Sequence, residues 1–221
     1  MSKFIRIFLL AAAFAYMPCK IVQGQVFGGG LSKFDSPTLN PRLKFDLPLF
    51  DFPYQADAAN RPGGSFWSAY GSPSMSQSLA VTTNLNSAFA LGMNELAKKH
   101  ANHRYFSYLN YAGAFLVSGF ALVWLHEEYH RSIYTRHGIN SDITYLVNLN
   151  ELSVGGYVSV TDLSRENTDN LRRLIRKHPS ELIRVGTSGL ESHILLTENL
   201  QSLSFFYNQE YIRYSAYISA V

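Results

Sequence analysis

Residues 108–125 read Tyr108-Leu-Asn-Tyr-Ala-Gly-Ala-Phe-Leu-Val-Ser-Gly-Phe-Ala-Leu-Val-Trp-Leu125, and the next five are His126-Glu127-Glu128-Tyr129-His130. The first stretch carries no charge over eighteen residues, about 27 Å of helix, which meets the lower length for crossing a bilayer. Ala112, Gly113, Ala114, Ser118, Gly119 and Ala121 recur at three- and four-residue intervals, the pattern that lets membrane helices approach closely. Tyr105, Tyr108 and Trp124 stand near its two ends, where interfacial aromatics belong. Residues 105–125 are therefore expected to form a long apolar helix, read as transmembrane. The competing reading is the central buried helix of a soluble protein, to which Asn110 and the serines would be better suited.

A charged pentad set against such a run is costly unless it has a task. On a helix, residues four apart share a face, so His126 and His130 can offer imidazole nitrogens to one Zn²⁺. Glu127, one residue on from His126, is then placed to act as general base. The alternative is a polar helix terminus where His and Glu meet solvent or headgroups. A catalytic zinc needs a third protein ligand, and His137, His178, Glu191 and His193 all follow. Glu191 is the expected third ligand, because Ser188 and Gly189 just before it would let its helix pack closely on the first. His193 lies about 200° further round that helix, so the two cannot readily share one metal.

Outward from this centre, the first residues have the layout of a secretory signal. Lys3 and Arg6 precede an apolar stretch from Ile7 to Met17, with Val22-Gln23-Gly24 as a cleavage site. Residues 1–24 are thus expected to be removed on export, taking with them Cys19, the one cysteine, so that neither disulfide nor thiol chemistry is expected. Residues 25–83 read as an irregular exported segment interrupted by prolines from Pro37 to Pro73. Its aromatics, among them Phe50, Phe52 and Tyr54, argue that it packs on something.

Residues 84–221 read as a helical domain. A helix is expected from near Asn84 to Lys98-Lys99, and Gly138 should end the apolar helix. Ile143 to Val147 and Leu152 to Val160 have strand character. Asp162 or Ser164 should cap a helix that stops before Pro179, and another should start near Ser180 and run through Leu200. The tail is apolar to Val221, and the expectation is that the chain continues in a longer parent. The fold class expected is mainly α with a small β element.

The net charge of +3 and the absence of any long basic run argue against nucleic acid as a partner. More basic residues follow the apolar helix than precede it closely, which would put the following segment inside if the helix spans. Gly28-Gly29-Gly30 lacks the Lys-Ser/Thr of a phosphate loop, and no Gly-x-Ser-x-Gly elbow is present.

With Glu191 as third ligand, the set His126, His130, Glu191 resembles the gluzincin group of metallopeptidases. The likeness covers the pentad's helix and the helix around Glu191. Membrane-embedded peptidases with a similar pentad include the CaaX-prenyl endopeptidases, the heat-shock membrane proteases and the site-2 proteases. This chain departs from them in having Leu195 four residues after Glu191 and no Asp-Gly motif in a second apolar span. The resemblance implies a helical zincin-like core and a membrane or cell-envelope zinc endopeptidase. A peptide or protein would be its substrate, the lipid bilayer a partner, and Glu127 the general base. Tyr129, Tyr134, Tyr157 and His193 could each supply the oxyanion stabiliser. The competing expectation is a non-enzymatic envelope protein that binds partners, with the pentad structural or holding metal without catalysis.

Overall fold

The computed structural model describes residues 48–65, 71–99, 103–148, 153–207 and 212–220, all within one compact unit, residues 39–221. The signal reading at residues 1–24 lies outside the described residues. The architecture is mainly helical with a two-stranded antiparallel hairpin. In chain order the elements are α1 (Tyr54–Asn60), α2 (Met75–Lys99), α3 (His103–Arg136), β1 (Asp142–Asn148), β2 (Ser153–Ser159), α4 (Arg165–Lys177), α5 (Pro179–Tyr207) and α6 (Ile212–Ala220).

Helix α3 is the axis of the fold. It has 34 residues, about 51 Å at 1.5 Å per residue, and α1, α2, α5, α6 and both strands pack against it. Its C-terminus is closed by a Schellman arrangement. Gly138 has φ of 67°, Ile139 N–H donates to the Tyr134 carbonyl at 2.9 Å and Gly138 N–H to that of Thr135 at 3.0 Å. A left-handed residue is needed there, and glycine takes it without Cβ strain. The pentad therefore sits inside the helix, with further turns beyond it, rather than at a frayed end.

Two helices differ from the sequence expectation. Helix α2 begins at Met75, well before Asn84, because Ser74 and Gln77 cap it reciprocally. Ser74 Oγ accepts from Gln77 N–H at 3.2 Å and Gln77 Oε1 accepts from Ser74 N–H at 3.0 Å, which satisfies two first-turn donors. Helix α1 is a short helix inside the proline-rich stretch. Its Tyr54 is buried, while Phe50 and Phe52 are exposed.

The strands fall where their β-branched residues suggested, paired in the register Tyr145 with Gly156 and Leu146 with Gly155. Ser164 caps α4 by accepting from Asn167 N–H at 3.3 Å. Pro179 opens α5, where its missing N–H has no intrahelical partner to lose.

Apolar and polar residues are distributed unusually. The core formed by α2, α3, α5 and α6 contains Ala90, Leu122, Leu125, Tyr129, Leu196, Leu200 and Ile212. Between the same helices many small polar side chains are buried, among them Asn86, Asn110, Ser118, Ser188, Ser192 and Ser215. Outside, large apolar side chains are left uncovered: Tyr108 is 77% exposed, Leu116 57%, and Leu190 and Phe205 still more so than Leu116. Of the most apolar eighteen residues of α3, only 28% are buried.

Candidate metal centre

The pentad places its side chains on three sides of α3. The histidine face meets α5. His126 and His130, one turn apart, have ring centroids 4.7 Å from one another at 71°. Helix α5 reaches this face because it presents small residues there: Ser188 and Ser192 are fully buried, and a Cβ on Gly189 would stand 2.3 Å from two atoms of the His126 ring. Only glycine lets the two backbones come this close with an imidazole between them.

His130 is held by α5. Its Nδ1 lies against the Val185 carbonyl and 3.0 Å from Ser188 Oγ. A carbonyl oxygen only accepts, so Nδ1 carries the proton and donates, which leaves Nε2 as the unprotonated donor atom of a neutral ring. Fixing the remote nitrogen in this way is how proteins orient metal-ligating histidines.

His126 meets a third imidazole on α5. Its Nδ1 is 3.0 Å from His193 Nε2, and the two rings lie 5.1 Å apart at 69°. Glu191, the residue expected from the sequence at this position, is elsewhere engaged. Arg184 Nη2 donates to Glu191 Oε1 at 3.0 Å, and that hydrogen bond is the largest influence holding the Arg184 pKa above its usual value. Both side chains of this pair are more than a third exposed.

Helical phase accounts for the choice. At 100° per residue, Val185, Ser188, Gly189, Ser192 and Leu196 define the face of α5 turned to α3; His193 lies about 85° from its centre and Glu191 about 115° away on the other side. Arg184 precedes Glu191 by two turns and shares its side of the helix. The small-residue stripe was visible in the sequence, and reading its phase would have picked out His193.

The two glutamates behave differently. Glu128 is 4% exposed and accepts from Arg131 Nε at 2.8 Å and from the Trp124 side chain. Glu127 is 5% exposed, yet no described residue forms a hydrogen bond or ion pair with it. It lies under the hairpin: a Cβ on Gly156 would come within 2.8 Å of Glu127 Cγ and 3.3 Å of Oε1. Gly156 thus lets β2 pass close over the Glu127 side chain.

His137 and His178 form a separate contact, with ring centroids 5.0 Å apart, beyond the C-terminus of α3. Of the residues considered for oxyanion stabilisation, Tyr129 is buried in the core and Tyr157 is half exposed on β2.

The imidazoles of His126, His130 and His193 gather here, one with its remote nitrogen fixed and another cradled by a glycine. As the side chains stand, no three His, Cys, Asp or Glu residues among the described residues form a complete ligand group; His126 is the shared neighbour of His130 and His193. No protein-family model, curated protein or solved structure matches this chain.

Proposed function

We propose that the chain is a membrane-associated zinc endopeptidase in which His126 and His130 hold the metal with a donor from α5, and Glu127 is the general base. The observation that carries this reading is the contrast within one buried glutamate pair. Glu128 is occupied by Arg131 and Trp124, whereas Glu127, just as little exposed, has no hydrogen-bond or ion-pair partner among the described residues. A buried carboxylate without a partner is unfavourable, and such arrangements cluster where a group has chemistry to perform.

When bound, zinc would supply a water whose pKa falls from about 15.7 to around 7. The residues of the chain do the rest. His126 and His130 are neutral donors, the latter oriented by Val185 and Ser188. Glu127 takes a proton from the attacking water as its oxygen adds to the peptide carbonyl. It then delivers that proton to the amine nitrogen as the C–N bond breaks, giving one new carboxyl and one new amino terminus.

The membrane part of the proposal rests on the distribution of polarity. Each large apolar side chain left in water forgoes about 1.5–3 kcal/mol, and α3 alone leaves Leu109, Phe115, Leu116 and Phe120 uncovered. A lipid environment removes that cost, and buried Ser, Thr and Asn between helices are what membrane interfaces favour.

The test is hydrolysis of a peptide library by purified protein in detergent or lipid, wild type against Glu127→Gln. The expected result is cleavage that falls by 10²–10⁴-fold, about the contribution of a general base, with zinc still bound. Zinc binding with no cleavage by wild type would favour a non-catalytic metal protein instead.

A further inference from the structure

We infer that His193, rather than Glu191, is the third metal donor, and that α5 completes the centre begun on α3. This rests on the proposed zinc site. Two nitrogens bound to one tetrahedral zinc at 2.0–2.1 Å lie about 3.3–3.4 Å from each other; His126 Nδ1 and His193 Nε2 stand 3.0 Å apart without any metal. Little movement is needed to admit an ion between them.

Helix α5 is also shaped for this contact. Gly189, one turn before His193, has a backbone that a Cβ would drive into the His126 ring, so the close approach that brings His193 to His126 depends on that glycine. Val185, one turn earlier, and Ser188, the residue before Gly189, hold His130. Successive turns of one helix therefore fix the first histidine, make room for the second and supply the third. Glu191 has none of these relations. Its carboxylate is committed to Arg184, and carrying it to the histidine face would require that pair to break and the helix to rotate. A set of three imidazoles leaves an open coordination position and a net charge of +2 at the ion, whereas a carboxylate ligand would reduce that charge and make the bound water less acidic.

The experiment uses full-length protein loaded with Co²⁺, whose visible and near-ultraviolet spectrum reports its ligands. His193→Cys is expected to acquire a thiolate-to-cobalt charge-transfer band that the wild type lacks, and Glu191→Cys to show none while binding cobalt as the wild type does. His193→Ala should lose cobalt to a competing chelator that leaves Glu191→Ala loaded, with helical circular dichroism unchanged in both. A charge-transfer band in Glu191→Cys, or cobalt bound by His193→Cys without one, would overturn the assignment while leaving the metal site standing. A wild type that takes up no cobalt or zinc would overturn the metal site itself.

Discussion

Glu127 and Glu128 are neighbours on one helix, of one chemistry and nearly equal burial, yet the protein treats them in opposite ways. Glu128 points to the side where α1, Arg61 and Arg131 gather, and its carboxylate is paired with Arg131 and Trp124. Glu127 points under Gly156 of the hairpin and has no bonding partner among the described residues. The 100° between consecutive residues is enough to separate a structural carboxylate from a working one. A buried charge paired within its own helix is costly to disturb on one side only, whereas one left unpaired costs stability that a function must justify.

The largest expected effect divides the two residues by measurement. Glu127→Gln should abolish most hydrolysis while leaving stability unchanged or raised, and Glu128→Gln should keep hydrolysis while losing about 2–4 kcal/mol of stability, since it leaves Arg131 half compensated. Peptide cleavage and denaturant unfolding of the two variants check this together. The comparison breaks if both glutamates respond alike.

Next in size is Gly189→Ala. The added methyl must displace the His126 ring, at a cost of about 1–3 kcal/mol by overpacking, and metal affinity measured by chelator competition should fall with it. Gly186, where an added Cβ meets nothing within 4 Å, is the control on the same helix: Gly186→Ala should leave metal affinity unchanged.

Ser188→Ala should lower metal affinity about 10-fold, the lower end for removing a group that orients a ligating histidine. Ser188→Thr, which retains the hydroxyl, should recover part of the loss. Smallest of all, Glu191→Ala removes an ion pair more than a third exposed and should change stability by no more than about 1 kcal/mol, with metal content the same as wild type.

The centre of the fold was legible because it is built from local signals. The apolar run, the left-handed glycine at 138, the strand residues around Gly155-Gly156, the Ser164 cap and Pro179 each act within a few residues, and each appears in the structure where its chemistry placed it. The first turns of α2 were hidden by composition. Pro73 and the serines around it suggested a loop, while the reciprocal bonds between Ser74 and Gln77 were also written there as a capping box.

The third donor was harder to read, since it depends on the rotation of α5 about its axis. The sequence offered Glu191 and His193 on opposite flanks of one helix. What separates them is tertiary: Gly189 lying on His126, and Arg184 two turns before Glu191 claiming its carboxylate. The partnerless state of Glu127 is likewise a property of what surrounds it, and no spacing in the sequence distinguishes it from Glu128 by environment.

The most direct test of the central claim is the zinc content of purified protein, determined by elemental analysis for wild type, His126→Ala and His130→Ala. One zinc per chain is expected in wild type, with its loss in both variants and helical content retained. Folded wild-type protein that holds no zinc after exposure to it, or variants that keep the metal, would rule out a centre built on His126 and His130.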